Sequence, residues 1–222
     1  MRFSVLFCFL AVRLTAALPP PLEEALKTFR ADPPKGWSFT QTTAAEGKST
    51  VERFDATRPD FDRWALLRKD GQAPTATALK EYHDTRSLRS RTGTAPKLVE
   101  QLDYSEVETV GETAERVTYR CRVRPGESRD RTAQFLRASL TVHKATRTLE
   151  TIELNNTEPF SPTIGVKIVS LRTRLTYTLP AGESPALPHL VETKVVGTAF
   201  WFKTLDADLT VTFSEFAPPA KK

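Results

Sequence analysis

The side chains best suited to catalysis or metal binding are scattered along this sequence. His83, His143 and His189 lie far from one another, and none has a second metal-ligating side chain two or four positions further along. The motifs G-x-S-x-G, G-x-x-x-x-G-K-[ST], H-E-x-x-H and C-x-x-C, which mark hydrolases, phosphate-binding loops, zinc proteases and paired thiols, are all absent from the sequence. The sequence therefore predicts a protein that is not an enzyme and that binds neither a metal nor a cofactor.

Charged side chains recur in short runs that leave two interpretations open. Acidic pairs such as Asp60 and Asp62 flank predicted turns, where acids usually cap the backbone. A set of arginines alternates with apolar residues and would share one face of a sheet: Arg120, Arg122, Arg124, Arg172 and Arg174. These arginines form either a solvated face that discourages edge aggregation or a contact surface for anionic lipid headgroups or an acidic partner.

The composition fits one domain rich in strands. Of the 222 residues 39% are hydrophobic and 27% charged, and the 16 prolines outnumber the 9 glycines. Threonine, valine and leucine recur in alternating runs, a pattern that favours β structure. A formal net charge of +5 without a concentrated basic face argues against nucleic acid as a partner. We expect a single domain over residues 18–222.

The first 17 residues have the pattern of an export signal. Arg2 supplies the positive charge, residues 3–12 form an apolar run, and small residues ending at Ala17 offer a cleavage site. The run is shorter than the ~20 apolar residues that span a bilayer. Cleavage would remove Arg2 and Arg13, lowering the net charge to +3, and would leave Cys121 as the only cysteine. We expect a periplasmic protein without an internal disulfide, the alternative being a retained N-terminal anchor.

Two segments have helical character. Leu22, Leu26 and Phe29 recur at helical spacing, and a Pro-Pro pair at residues 33–34 ends the pattern. A second helix is predicted over about residues 76–86, with Thr75 as its N-cap. The basic, polar segment 87–97 that follows is predicted to be a loop.

The remaining sequence alternates with the period of strands. The pairs Glu46-Gly47 and Asp70-Gly71 predict tight turns around the first three strands. Further along, Val117, Tyr119 and Cys121 would share one face, so Cys121 is predicted to be a small core residue. About ten strands and two helices predict an α+β, mostly antiparallel β fold, in which a curved, open half-barrel sheet carries helices over its concave face.

Two short motifs carry a resemblance to a known family. The stretch Ser38-Phe39-Thr40-Gln41 is followed by Arg58-Pro59, Phe61 and Trp64. This order, after a signal sequence and an amphipathic helix, resembles the LolA/LolB-like periplasmic lipoprotein carriers. The resemblance implies a half-open antiparallel barrel whose helices form a lid over an apolar cavity for acyl chains. It also implies that Arg58 lies at the cavity mouth and hydrogen-bonds to the closed lid.

The resemblance and the apolar pattern together suggest which residues line this groove. The candidate ligand-binding residues are Trp37, Phe39, Phe54, Arg58, Trp64, Leu66, Tyr119, Val211 and Phe213. The expected partners are a lipid or an acylated protein, with an envelope membrane protein as a further possibility, and the expected state is a monomer.

Three functions remain compatible with the sequence. The first is a carrier that binds lipid acyl chains or lipidated proteins in an apolar groove. The second is a non-enzymatic envelope sensor or protein-interaction module of the same fold, whose groove is filled by its own helices. The third is a hydrolase without a recognisable motif, which would require a pair of titratable groups in a cleft.

Overall fold

The computed structural model describes residues 18–89, 98–125, 132–200 and 202–219. The predicted export signal lies outside the described residues, as does the part of the predicted 87–97 loop that begins at residue 90. The described parts form two α-helices, three short 3-10 turns and one large antiparallel sheet.

Helix α1 spans Pro20–Thr28 and helix α2 spans Ala76–Arg89. The hydroxyl of Thr75 accepts a hydrogen bond from the Ala78 amide at 3.2 Å, which confirms the predicted N-cap. The helix continues past residue 86, so the first three residues predicted as loop are helical, because leucine and arginine are good helix formers. Within the described residues, neither helix has the length and apolar character needed to cross a bilayer.

Eleven strands form the sheet. They are β1 Ser38–Ala45, β2 Lys48–Phe54, β3 Trp64–Lys69, β4 Leu102–Glu112, β5 Arg116–Val123, β6 Leu136–His143, β7 Thr148–Asn156, β8 Val166–Tyr177, β9 Pro188–Ala199, β10 Lys203–Thr204 and β11 Ala207–Ala217. Their order in space is β3-β2-β1-β11-β9-β8-β7-β6-β5-β4, with β10 pairing on β9. The sheet is open between its end strands β3 and β4, which confirms a mostly antiparallel, unclosed β fold with two helices.

The two predicted hairpin turns owe their shape to residues with positive φ. Glu46 and Gly47 have φ of 51° and 75°, and Asp70 and Gly71 have φ of 52° and 78°. Two successive left-handed residues match the right-handed twist of the flanking strands, and glycine adopts this conformation without steric cost. These turns fix the register of β1 with β2 and the end of β3.

One face of the sheet is apolar across nine neighbouring strands. The pairing places directly opposite residues on the same side, and residues two apart on a strand share that side. We call this side the apolar face. One row of directly opposite residues on it is Val211, Val191, Leu175, Ile152, Leu140 and Tyr119. A second row, Phe39, Phe54 and Trp64, lies four residues along β1 from Thr43, which is the direct partner of Val211. The buried core lies where α1 packs on β6 and β7, with Leu22 and Ala25 fully buried against Leu140 and Ile152.

Candidate functional site

Five aromatic rings meet at the β3 end of the apolar face. The ring of Phe39 lies 5.1 Å from that of Phe54, 5.6 Å from that of Trp64, and 5.9 Å from those of Phe213 and Phe216. Register brings them together, because Phe39 faces Phe54 across β1 and β2, and Phe54 faces Trp64 across β2 and β3. Four of the predicted groove residues therefore form one cluster, and Phe216 is an additional member that the sequence did not single out.

A cavity of about 460 Å³ opens beside this cluster. Its apolar wall consists of Trp37, Phe39 and Phe54, and two cationic residues, Lys35 and Arg63, also line it. Trp37 lies immediately before β1 and is half-buried. The predicted groove residue Trp37 thus contacts an open space that adjoins the aromatic cluster.

A second cavity, of about 310 Å³, separates α2 from the sheet. Leu66 and Glu52 form its floor, and Ala78, Tyr82 and Thr85 of α2 line its other side. None of the described side chains of α2 is buried. The described part of α2 is therefore packed loosely on the sheet, in contrast to α1, where Leu22 and Ala25 are fully buried.

A carboxylate is buried in the floor of this second cavity. Only 6% of Glu52 is exposed, and the side-chain amide of Gln41 donates a hydrogen bond to it at 3.4 Å. Glu52 lies on the apolar face because it stands opposite Leu66. Of the sheet residues that line this cavity, Thr50, Glu52 and Lys69 are polar and Leu66 is apolar, so this end of the face can contact polar as well as apolar groups.

Tyr119 lies in a different part of the molecule from the other candidates. It is on β5, where 4% of its surface is exposed and where it packs in the core beneath α1 with Leu22 and Leu140. Burial raises the pKa of its hydroxyl. The structure thus separates Tyr119 from the aromatic cluster, although both lie on the apolar face.

The strands between the two helices leave the apolar face only half-buried. Five apolar side chains there are half-buried: Val211 and Phe213 of β11, Val191 of β9, and Leu171 and Leu175 of β8. They form a strip between the core under α1 and the aromatic cluster. We call these five residues the central strip.

A third cavity, of about 410 Å³, lies beside α1. Its walls include Ala25 of α1, Phe29 directly after the helix, Leu149 of β7 and Pro185 of the β8–β9 loop. The ring of Phe29 packs edge-on against Tyr177 at 5.0 Å. The helical spacing of Phe29 was visible in the sequence, but the loop that completes the cavity was not.

Arg58 lies outside the apolar face, in the turn before β3. Its guanidinium group pairs with Asp55 at 3.3 Å and with Asp62 at 3.2 Å, and its backbone carbonyl accepts a bond from Arg63 at 3.0 Å. These partners all belong to its own turn. Among the described residues, no hydrogen bond from Arg58 to a helix is recorded, so its predicted contact with a lid stays a prediction.

The predicted arginine set is largely paired with acids on the opposite, polar face. Arg122 contacts Glu106 at 2.9 Å, Arg172 contacts Glu153 at 2.9 Å, and Arg120 reaches Glu108 at 3.6 Å. Arg174 also approaches Glu153, at 3.8 Å. The pairing favours a solvated, charge-balanced face over a basic contact surface.

Metal-binding side chains do not gather in the described parts of the chain. No group of three or more His, Cys, Asp and Glu side chains there is arranged to hold a metal ion. Cys121 is 1% exposed in the core, as predicted, and burial raises the pKa of its thiol to about 11. A neutral, inaccessible thiol is a packing residue, not a nucleophile.

The chain was compared with protein-family models, with curated proteins and with solved structures. None of them matches. The likeness to the lipoprotein carriers therefore stays a resemblance of two short motifs. Function has to be argued from the apolar face and its cavities.

Proposed function

We propose that this protein binds the acyl chain of a lipid or a lipidated protein along the apolar face. The observation that supports this most directly is the central strip, where Val211, Val191 and Leu175 remain half-exposed between two helices. Water contact with contiguous apolar side chains is unfavourable, and such a surface usually belongs to a binding site. An acyl chain would cover the strip and extend toward the aromatic cluster.

In this proposal the sheet curves around the apolar face and the helices are its covers. Helix α1 is the fixed cover, supported by the full burial of Leu22 and Ala25. Helix α2 is the removable cover, supported by the cavity between Tyr82 and Leu66 and by the absence of buried side chains in its described part. The acyl chain would enter beneath α2.

The expected free energies are consistent with α1 as the fixed cover and α2 as the removable one. Each buried CH₂ contributes about 0.8 kcal/mol, so ten methylenes contribute about 8 kcal/mol before ordering costs. Lifting α1 would expose Leu22, Leu26 and Phe29 at about 2 kcal/mol each or more. Lifting α2 exposes no buried side chain among residues 76–85, so α2 opens at much lower cost.

The test uses purified protein and a fluorescent fatty acid. Native mass spectrometry is expected to show a co-purified lipid, and after delipidation the fatty acid should bind with one-to-one stoichiometry and be displaced by lysophospholipid. Tyr82→Ser should speed fatty-acid uptake, whereas Tyr104→Phe, which alters a tyrosine of β4, should leave it unchanged. Absence of both lipid and probe binding would contradict the proposal.

The proposed location of the protein is the periplasm, after removal of residues 1–17. The apolar run and the small residues at the predicted cleavage site support this part of the proposal. Expression of the full chain in a Gram-negative host, followed by fractionation and N-terminal sequencing, tests it. A cytoplasmic, uncleaved product would contradict it.

A second candidate is an interaction module whose groove is filled by the protein itself. The full burial of Leu22 and Ala25 favours it, since the β6–β7 end of the face is already occupied by α1. In that case the delipidated protein binds no fatty acid, and Tyr82→Ser changes neither probe uptake nor probe fluorescence. The same experiment therefore separates the two candidates.

A further inference from the structure

A group of exposed apolar side chains lies at one end of the sheet, away from the central strip. Ile164 is 96% exposed, Phe202 86% and Phe200 61%. Val169 and Val196, on the adjoining strands, are also exposed. Five of the eight exposed large apolar side chains in the described residues thus belong to the β7–β8 loop and the neighbouring β8–β9 end. We call these five residues the apolar tip.

Backbone hydrogen bonds hold the apolar tip in place. The Phe200 amide donates to the Gly165 carbonyl at 2.6 Å, which ties the β7–β8 loop to the end of β9. Phe160 and Ile168 exchange two further bonds, at 3.0 and 2.8 Å. Because these backbone hydrogen bonds fix the segments that carry them, the exposure of these apolar side chains is a feature of the folded structure.

The backbone of Phe200 supports a specific role for this end of the sheet. Its φ is +50°, in the left-handed region that bulky side chains rarely adopt. Gly165 beside it has φ +79°, and a Cβ there would lie 3.4 Å from the Phe200 ring. The strained backbone turns the chain so that Phe200 and Phe202 are both exposed.

The charged side chains nearest to Ile164, Phe200 and Phe202 along the chain are two exposed cations, Lys167 and Lys203. The exposed acids Glu158 and Asp206 lie further along, and Asp206 accepts a hydrogen bond from the Gly197 amide at 3.4 Å. Register places Lys167 beside Thr198 and Lys203 beside Ala199, next to Phe200. Neither lysine takes part in an ion pair among the described residues. Exposed apolar side chains with two exposed cations close to them complement a surface that is apolar inside and anionic outside.

We propose that the apolar tip docks on a membrane surface that carries anionic headgroups. Ile164, Phe200 and Phe202 enter the boundary between headgroups and acyl chains, and Lys167 and Lys203 contact the headgroup phosphates. A few highly exposed apolar side chains suit a bilayer, whereas a protein partner usually needs a larger surface. This role goes beyond acyl-chain binding and uses none of the residues of the central strip.

The test measures flotation of the full chain with vesicles of phosphatidylcholine alone or with phosphatidylglycerol added. Ile164→Ser combined with Phe202→Ser should weaken binding to anionic vesicles about tenfold or more. Lys167→Gln combined with Lys203→Gln should weaken it about tenfold and leave binding to neutral vesicles unchanged. The matched control is Phe61→Ser, because Phe61 is 89% exposed but lies outside the apolar tip. All variants share residues 1–17, so differences between them report on the substituted positions.

A local measurement separates the apolar tip from the rest of the protein. Phe202→Trp fluorescence, taken as the difference from wild type, should be quenched by brominated lipids, and that of Phe61→Trp should not. Equal flotation of all variants, or no quenching at position 202, overturns the proposal. So does a wild-type dimer that the Ile164→Ser, Phe202→Ser variant dissociates while flotation is unaltered, which would make the tip a contact between copies of the chain.

Discussion

Arg147, in the turn between β6 and β7, forms an ion pair with Glu24 of α1. The hydrogen bond and the charge of Glu24 raise the pKa of Arg147. The pair fastens one side of α1 to the sheet, and the buried side chains of Leu22 and Ala25 hold its other side. On the other helix, the ion pair between Lys69 and Glu81 is longer, at 3.9 Å. The two helices are thus tied to the sheet and its turns by ion pairs of different length.

Glu24→Gln should lower the melting temperature slightly, because it removes an ion pair that is exposed to water. The difference from wild type should vanish at 1 M salt, where the screening length is about 3 Å. Glu23→Gln is the matched control, since Glu23 pairs within α1 with Lys27 and does not tie the helix to the sheet. Thermal unfolding followed by circular dichroism measures the effect, and a large, salt-independent loss would show a different role for Glu24.

Leu22→Ala should destabilise the fold by about 3 kcal/mol, because it leaves a cavity beneath a fully buried helix contact. Leu26→Ala is expected to cost less, since Leu26 is only half-buried. Urea unfolding at equilibrium gives both values. An equal loss of unfolding free energy in the two variants would mean that Leu22 anchors α1 no more strongly than Leu26 does.

Gly197→Ala should destabilise the β8–β9 pair by about 2 kcal/mol. A Cβ at this position would lie 2.5 Å from the backbone oxygen of Lys167, and a backbone atom cannot move aside without disturbing the ladder. Gly111→Ala is the control, because its Cβ would meet Thr118 at an ordinary 3.9 Å. Unchanged stability of the Gly197 variant would show that these two strands can separate locally.

Stability should fall as pH rises from about 9 to about 11. The ordinary thiol pKa is 9.0, and burial raises that of Cys121 to about 11. In this window the unfolded chain loses the proton that the folded chain retains, so unfolding is favoured as pH rises. Burial also raises the pKa values of Tyr104 and Tyr177, which extends the loss to higher pH.

Cys121→Ala isolates the thiol contribution. Its unfolding free energy should depend less on pH between about 9 and 11 than that of wild type. Urea titrations at several pH values measure the slope. An identical slope in the two proteins would contradict the assignment of this pH dependence to Cys121.

Val211→Trp should reduce fatty-acid uptake, because Val211 is only partly buried in the central strip and a larger ring there would take the place of the acyl chain. Thr210→Trp, on the polar face of the same strand, is the matched control. Probe titration and thermal unfolding are measured on both variants. Full fatty-acid binding by the Val211 variant would mean that the bound acyl chain does not lie over β11.

Local features of this protein follow from its sequence because they depend on neighbouring residues alone. The pair Glu46-Gly47 predicts a turn because glycine adopts positive φ without steric cost. Thr75 predicts the start of a helix because its hydroxyl can accept a hydrogen bond from a backbone amide that has no partner within the helix. The alternation of Val117, Tyr119 and Cys121 fixes which side of β5 is buried. These predictions are confirmed.

The strand order was decided by the tertiary structure. Strand β1 pairs with β11 from the far end of the chain, and this pairing brings Phe39 to Phe213 and Phe216 while leaving Tyr119 under α1. The alternation of apolar and polar residues predicts which side of a strand is apolar. It does not predict which strand will be the neighbour, because pairing depends on loop closure and on the whole sheet.

Exposure and charge balance were likewise decided by tertiary contacts. From the sequence, the arginines of the polar face are compatible with a solvated face, which the pattern favours, or with a basic contact surface. The positions of Glu106 and Glu153 beside them support the solvated face. In the same way, the apolar residues Ile164 and Phe202 resemble core residues in the sequence but project into solvent. The sequence determines the chemical character of each side chain and its local side of the backbone, whereas burial and pairing are properties of the neighbours that only the folded sheet supplies.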